Sequence, residues 1–229
     1  MRILETPEGA PDCLAPVEGY RWIPTRPPVC VDWWEGAGPP AEGAALTTIA
    51  KWTHTGKDVT WRGETWHWSK DYEFRDFIDV GNRAALPLEL AVSSITDDEL
   101  LRLRGHGWRT IPSSTAKDPP AYRSYIQRSL GEFTVAKEQY VRPRSGWFSD
   151  RSVCYLAAGR PVVTQATGFE KYLPTGNGLL AFTNVDEALS AIQSVARDYS
   201  SHARAARQIA GEHFAAERVL GDVMLEMGL

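Results

Sequence analysis

The chain has 229 residues, a net charge of −4 at pH 7 and a sequence pI near 5.8. This length can bury a substantial core in one domain with an additional arm, or in two small domains. The acidic balance excludes a broad nucleic-acid footprint, which needs an excess of basic residues, so any anion site must be local. Cys13, Cys30 and Cys154 lie far apart, with no CxxC pair and no histidine spacing typical of zinc, which indicates reduced thiols and no metal site.

The first 43 residues are rich in proline, which fixes φ and removes a backbone donor. We therefore expect neither a long helix nor a central strand there. Trp22, Trp33 and Trp34 lie between the prolines, so the segment is interpreted as an extended arm that docks through aromatic side chains. It contains no apolar run typical of a signal peptide, and no later stretch is long enough to span a bilayer, so we expect a cytoplasmic protein without a membrane span.

From residue 44 onward, strand and helix patterns alternate. Short apolar or β-branched runs predict six strands, at 45–52, 88–92, 108–111, 131–136, 160–165 and 178–182. Residues 57–68 alternate around Arg62-Gly63-Glu64, which predicts a β-hairpin. Helices are predicted at 69–80 after Ser69, at 97–105 after the capping box of Thr96 and Glu99, at 121–129, at 146–158 before Gly159, and from 184 onward with a break near 213–214 and a last helix at 215–227.

Strands that alternate with helices predict an α/β fold. We expect a Rossmann-like, doubly wound, mostly parallel sheet of about six strands with helices on both faces. Residues 1–43 would form the proline-rich arm or an interdomain connector, and residues 44–229 the Rossmann-like domain. Ligands of such sheets bind beyond the carboxyl ends of the strands.

The segment 142–151, RPRSGWFSDR, is the strongest indication of a ligand site. It is a basic loop with a glycine that leads into a helix, where free N–H groups and the positive end of the helix dipole favour an anion. Charges from Arg144 and Arg151, and amide donors from Ser145 to Ser149, suit a diphosphate. The alternative is a surface loop whose arginines contact only their neighbours.

The residues after this loop carry a longer pattern: a helix ending in A-x-G-x-P-V-V, a glycine turn, and then G-x-G-L-L. The matching residues are Ala157, Gly159, Pro161, Val162, Val163, Gly168, Gly176, Gly178, Leu179 and Leu180. In this pattern, and in its long helical tail, the chain from about residue 44 to 229 resembles the C-terminal, nucleotide-sugar-binding domain of GT-B glycosyltransferases.

The resemblance implies a module that binds a nucleotide-diphosphate sugar and transfers the sugar, hexosyltransferase-like, to an unidentified acceptor, with no cofactor and no metal. The diphosphate-binding residues it implies are Arg144, Ser145, Gly146, Ser149, Arg151, Lys51 and Lys70. The residues implied for the donor sugar or ribose are Asp150, Thr167, Gly168 and Phe169, and those for the nucleobase are Ala136 and Lys137. Structural alternatives stay open: solvated lysines at positions 51 and 70, a helix cap at Asp150, and a left-handed turn at Gly168.

Two departures from the family pattern affect the functional expectation. The two glutamates that many members carry eight positions apart fall here on Gly146 and Cys154. GT-B enzymes also have two Rossmann-like domains, and residues 1–42 cannot form the first, which carries the acceptor site. The chain would then need a complementary N-terminal domain, or a second copy of itself. The alternative is a non-catalytic nucleotide-sugar-binding or protein-interaction module that acts through its tryptophan-rich face.

Overall fold

The computed structural model describes residues 12–14 and 23–228. The strands in these residues are β1 Leu46–Lys51, β2 Val59–Trp61, β3 Glu64–Trp66, β4 Leu88–Ser93, β5 Arg109–Pro112, β6 Gly131–Thr134, β7 Val162–Gln165 and β8 Leu179–Phe182. Six of them form one parallel sheet in the order β5-β4-β1-β6-β7-β8. This is the strand order of a doubly wound Rossmann-like sheet, so the predicted fold is confirmed.

Helices cover both faces of this sheet, also as predicted. They are α1 Lys70–Phe74, α2 Val80–Arg83, α3 Asp97–Gly105, α4 Pro119–Arg128, α5 Glu138–Val141, α6 Asp150–Ala157, α7 Val185–Arg197, α8 Tyr199–His213 and α9 Ala216–Met227. Apolar side chains of α1, α2, α3 and α7 form one buried cluster with the sheet, and those of α4, α6 and α8 form a second. Both faces are fully buried along the inner strands β6 and β7, as expected for a parallel sheet covered on both sides, whereas the edge strand β5 is partly exposed.

The ends of α3 follow the sequence signals, whereas two other predicted helices differ from their expected bounds. Thr96 and Glu99 form the predicted capping box. The helix expected at 69–80 is divided into α1, a 3-10 turn at Arg75–Phe77 and α2. Near the second division, the carbonyl of Ile78 accepts hydrogen bonds from the Trp108 indole Nε1 at 2.8 Å and from the amide of Gly81 at 3.4 Å, three residues further on and not four.

The helix expected from residue 146 begins only at Asp150, with Ser149 as its N-cap. The residues before it cannot be helical, because Arg144 has φ +48° and Gly146 has φ +66°. The predicted helical tail has the expected break at His213 and a further break at Asp198, where ψ is +67°.

The predicted hairpin is confirmed as the antiparallel pair of β2 and β3. Arg62 and Gly63 at its turn have φ of +51° and +80°, as a two-residue hairpin turn of the primed type requires. The hairpin is fixed to the segment after β6, because Gln139 Nε2 donates to the Trp66 carbonyl at 2.7 Å and the amide of His67 donates to Glu138 Oε2 at 2.6 Å. It therefore lies beside the carboxyl ends of β1 and β6.

The described part of the N-terminal arm is in contact with the end of the chain. Val29 forms a parallel bridge with Ala215, and Trp34 is buried, whereas Trp33 is 71% exposed. Trp22 lies outside the described residues. The final helix α9 exposes several apolar side chains, namely Leu220, Met224, Leu225 and Met227. Among the described residues, no helix combines the length and apolar character needed to cross a membrane.

Candidate anion-binding site

The strand order of the sheet reverses between β1 and β6, and this is where a doubly wound sheet opens a crevice at its carboxyl edge. Strand β1 ends there with Lys51, and β6 ends with Thr134. The turn after β1 leads through the hairpin back to the same edge, since the amides of Lys70 and Asp71 donate to the carbonyl of Trp52. Lys51, Lys70 and Lys137, predicted from separate segments, are thereby brought to one edge.

Lys70 is a buried lysine whose side chain makes few hydrogen bonds. Its residue is 7% exposed, and its Nζ donates to Thr134 Oγ1 at 2.7 Å, the single hydrogen bond that the side chain makes to the described residues. Burial lowers the pKa of Lys70 well below its usual value, and nearby Arg151 lowers it further, against the opposing effect of Glu132. An ammonium group has three donors, so this side chain retains capacity for an anionic ligand.

The guanidinium of Arg151 faces the sheet, and each of its three nitrogen atoms donates a hydrogen bond there. Its Nε donates to Glu132 Oε1 at 2.5 Å, Nη1 to the Ile49 carbonyl at 2.8 Å, and Nη2 to Thr134 Oγ1 at 3.0 Å. Burial lowers the pKa of Arg151, but the pairing with Glu132 outweighs it, so the pKa is raised. The side chain of Glu132 is wholly buried, and its Oε2 accepts no hydrogen bond from the described residues.

Three further lysines add positive charge around this edge. Lys137 Nζ lies 3.8 Å from the centroid of the Trp68 ring, and Lys57 Nζ lies 5.7 Å from the same centroid. Burial lowers the pKa of Lys137 to about 8, with contributions from Lys57 and Arg151. Burial, and then Lys137, Lys51 and Lys57, lower the pKa of His54. In a chain with a net charge of −4, this is a local concentration of cations.

Lys51 itself is exposed at the end of β1 and forms no ion pair within the described residues. Most of the charged side chains described so far at this edge are cations. The carboxylate of Glu132 is paired with Arg151. An anion that settled on this edge would meet ammonium groups that are not neutralised by the protein. Attraction of that kind is strongest where the groups are partly shielded from water, as Lys70 is.

The loop before α6 is held by internal contacts. Arg144 Nε donates to Asp12 Oδ2 at 2.9 Å, and its Nη2 donates to Glu170 Oε1 at 3.0 Å. The amide of Ser145 donates to the Tyr140 carbonyl at 3.4 Å, and that of Gly146 to the Thr167 carbonyl at 2.8 Å. Two of the amide donors predicted for a diphosphate are therefore used within the protein.

Closer to the helix, the predicted amide donors are open. The amides of Trp147, Phe148 and Ser149 make no hydrogen bond to the described residues. The Ser149 hydroxyl caps the helix by accepting from the amide of Arg151 at 3.2 Å, and exposed Asp150 occupies the first helical position. The start of α6 therefore retains donors for an anion.

The turn at 167–169 packs directly on this loop. Gly168 has φ +104°, and a Cβ atom there would lie 2.9 Å from the carbonyl oxygen of Arg144. Thr167 Oγ1 donates to the carbonyl of Trp147 at 2.5 Å. Phe169 is 1% exposed, and its ring packs edge-on against Phe148 with 5.0 Å between centroids. The ring of Phe169 therefore belongs to the core, which leaves its backbone for any ligand contact.

The first of the predicted nucleobase-binding residues, Ala136, is buried, and its backbone is bonded to two linked polar side chains. Its amide donates to Gln165 Oε1 at 3.0 Å, and Gln165 Nε2 donates to Glu73 Oε2 at 2.8 Å. Burial raises the pKa of Glu73, although the hydrogen bond from Gln165 opposes this effect. The side-chain nitrogen of Lys137, the next residue, lies over the ring of Trp68 at the base of the hairpin.

Sequence reasoning missed three residues of this edge: Lys57, Glu132 and Thr134. For Glu132 a signal was available, because a glutamate inside a strand that is buried on both faces requires a cationic partner. Among the described residues, no group of three or more histidine, cysteine or acidic side chains is placed to hold a metal ion. A cavity of about 880 Å³ lies at the opposite, amino-terminal edge of the sheet, and its lining includes Arg160 and Arg204.

Comparison with known proteins identifies solved structures with a similar fold. No family model matches the chain, and no curated protein matches it. AviGT4, a glycosyltransferase involved in avilamycin A biosynthesis, is similar with a TM-score of 0.56 at 13% identity, over 89% of this chain and 57% of that chain. A glycosyltransferase from Rickettsia africae ESF-5 is similar with a TM-score of 0.54 at 10% identity, over 88% of this chain and 55% of that one.

A third similar structure is a TarM variant from S. aureus in complex with fondaparinux, alpha-GlcNAc-glycerol and UDP, with a TM-score of 0.50 at 12% identity, over 82% of this chain and 37% of that one. The chain thus spans between 37% and 57% of these three proteins. At such low identity the similarity establishes the fold. The chain has the fold of one part of these glycosyltransferases, and its predicted resemblance to the C-terminal domain of GT-B enzymes is confirmed at that level.

Proposed function

We propose that this chain is the nucleotide-sugar-binding module of a glycosyltransferase, with the donor diphosphate at the carboxyl edge between β1 and β6. The observation that carries the proposal is Lys70, a buried amine group that makes one hydrogen bond to the described residues. Near it lie Lys51, which forms no ion pair within the described part of the chain, and Lys137, which contacts the ring of Trp68. The shared fold supports it, as does the presence of UDP in the structure of the TarM variant.

The chemistry of glycosyl transfer explains why cations are needed at this edge. When the bond between the sugar and the phosphate oxygen breaks, negative charge develops on the departing nucleoside diphosphate. Fixed donors and cations in a partly desolvated site stabilise this charge without reorganising during the reaction. We assign this role to Lys51 and Lys70, together with the open amides of Trp147, Phe148 and Ser149.

The other predicted residues receive supporting or neighbouring roles. The guanidinium groups of Arg144 and Arg151 are already paired, so we propose that they hold the loop and Lys70 in place. Ala136 and Lys137 face the nucleobase side. We propose that four residues contact the donor sugar or ribose: Asp150, Thr167, Gly168 and the backbone of Phe169.

The acceptor side of the cleft is proposed to come from outside the described fold. Residues 1–43 would act as the connector, and a complementary N-terminal domain or a second copy of the chain would face the carboxyl edge. The chain spans between 37% and 57% of the three similar structures, which supports this arrangement.

Calorimetry of the full chain with UDP, GDP, dTDP and ADP tests the proposal, with the matching nucleosides as a comparison. The variants Lys51→Ala and Lys70→Met should weaken binding of the preferred diphosphate by about ten- to a hundredfold each, and nucleoside binding much less, because each loses a charge-assisted contact. If none of the four diphosphates binds at millimolar concentration, the proposal is wrong.

A matched control lies in the cavity at the opposite edge. Arg204 is an exposed cation that lines this cavity, so Arg204→Ala should leave diphosphate affinity unchanged. If Arg204→Ala abolishes binding while the two lysine variants bind normally, the anion site lies at the amino-terminal edge instead.

A further inference from the structure

Two buried basic side chains share one hydroxyl group beneath the proposed site. Thr134 Oγ1 accepts from Lys70 Nζ at 2.7 Å and from Arg151 Nη2 at 3.0 Å. The guanidinium is balanced by Glu132, whose Oε1 lies 2.5 Å from Nε. Lys70 has no carboxylate partner within ion-pair distance among the described residues, so the cluster holds two basic groups and one acid.

We infer that Thr134, Arg151 and Glu132 position Lys70 at the floor of the site, and that Lys70 gains a proton there when a diphosphate binds. This inference rests on the proposed function. It gives Arg151 a role different from direct contact with the ligand, because all the hydrogen bonds of its guanidinium to described residues point into the sheet.

The positioning follows from the hydrogen-bonding capacity of a hydroxyl group. Thr134 Oγ1 has two lone pairs, which accept its two shortest hydrogen bonds, from Lys70 and Arg151. The Thr48 hydroxyl donates to the same oxygen over a longer distance of 3.3 Å, and the Val135 carbonyl lies 3.4 Å away as an acceptor for the Thr134 proton. Arg151 is immobilised by Ile49 and Glu132, so the hydroxyl is immobilised too. The hydrogen bond to Thr134 therefore fixes the position of Lys70 Nζ, and the remaining N–H donors of Lys70 are available for phosphate oxygens.

The proton uptake follows from the charges that act on Lys70 from each neighbouring element. Burial disfavours its charged form, as do Arg151 from α6 and Lys137 from the segment after β6, whereas Glu132 from β6 favours it. On α1 itself, Asp71 is paired with Arg75 at 2.7 Å. A bound diphosphate adds negative charge beside the ammonium and raises its pKa, so binding takes up protons.

The sign of the pH dependence is fixed by this linkage. The complex binds more protons than the free protein between the pKa of Lys70 in the free protein and its pKa in the complex. Within that window, affinity for a diphosphate increases as the pH falls. Above the window Lys70 is neutral in both states, and affinity is at its lowest.

Calorimetry of the full chain with UDP, in pairs of buffers with different ionisation enthalpies, counts the protons taken up at each pH. Uptake by phosphate oxygens of the ligand or by His54 persists in a Lys70→Met variant, so the difference between the two proteins isolates Lys70. We expect proton uptake in the parent chain within the window defined above, and its loss in Lys70→Met.

The positioning residues are tested by the same titration. Thr134→Val keeps the shape but removes the shared hydroxyl, and should lower UDP affinity several-fold and shift the pH of maximal uptake. Glu132→Gln should move the uptake to lower pH, because the acid that favours the ammonium is gone. The control is Thr164→Val on β7, the buried register partner of Thr134, which should leave affinity and uptake unchanged.

The outcomes separate this inference from the proposed function. If UDP binds but the parent chain and Lys70→Met take up the same number of protons, the inference is overturned and the proposed function stands. Identical pH profiles for Thr134→Val and the parent chain would overturn the positioning role even if Glu132→Gln fails to fold. If no diphosphate binds to the parent chain, both are wrong.

Discussion

The contact between the turn at Gly168 and the loop before α6 can be tested by adding one methyl group. Gly168 has φ +104°, and its Cβ would lie 2.9 Å from the Arg144 carbonyl oxygen and 3.2 Å from the Gly146 amide nitrogen. Both contacts are with backbone atoms, which cannot rotate away. Gly176 has almost the same φ, +103°, but nothing lies within 4 Å of its Cβ position.

The magnitude follows from two separable contributions. A residue other than glycine at such a φ costs about 1–3 kcal/mol, and this strain applies equally to Gly168→Ala and Gly176→Ala. At position 168 the methyl group must also push the loop away, which breaks the hydrogen bond from the Gly146 amide to the Thr167 carbonyl at 2.8 Å. Losing that bond adds about 0.5–1.5 kcal/mol, before any repacking of the loop.

Urea unfolding of both variants and the parent chain measures this difference. We expect both to lose stability, with Gly168→Ala losing about 1 kcal/mol more than Gly176→Ala. Only Gly168→Ala should also weaken UDP binding, because it displaces the amides that precede α6. Equal losses of stability in the two variants would refute the argument that close approach, rather than backbone torsion alone, requires glycine at 168.

Two further predictions concern the stability of the scaffold. Thr96→Ala removes the capping box with Glu99 and should cost about 0.5–2 kcal/mol in urea unfolding, whereas a similar loss in Thr96→Ser would contradict the capping role. The buried His202 accepts from the Gly178 amide at 3.1 Å and lies 3.1 Å from Ser194 Oγ, and burial lowers its pKa below 6.5. The unfolded state therefore binds the proton more readily, and stability should be lost as the pH falls below 6.5. His202→Gln should flatten this acid-side slope, and an unchanged slope would assign the acid sensitivity to other groups.

Most strands could be predicted because strands of a parallel sheet that is covered on both faces consist largely of apolar residues, as Leu179–Phe182 does. Lys51, Lys70 and Lys137 could be named as candidates through the resemblance, which gives roles to the end of the first strand, the start of the next helix and the loop after β6. Their location at one edge of the sheet was an expectation from the resemblance, and the structure shows it. The division of the helix at 69–80 could not be predicted, and it is accompanied by a contact between the Ile78 carbonyl and Trp108, 30 residues away, that no local pattern shows.

The same limit applies to the arginines. A basic residue in a loop or a first helical turn has the same local pattern whether it binds a ligand or another part of the chain. The partners of Arg144 are Asp12 and Glu170, and that of Arg151 is Glu132. The members of these three pairs are 132, 26 and 19 residues apart in the sequence, so none has the short helical spacing that sequence patterns detect.

The pairing of Glu132 with Arg151 has a consequence for the evolution of the chain. Removing one member of a buried ion pair leaves a lone charge away from water and typically costs about 3–5 kcal/mol, a large part of the stability of an ordinary domain. Replacing both by apolar residues can be neutral by comparison. Descendants of a common ancestor should therefore retain the two together or lose them together, and a survey of homologous genes should find few single replacements.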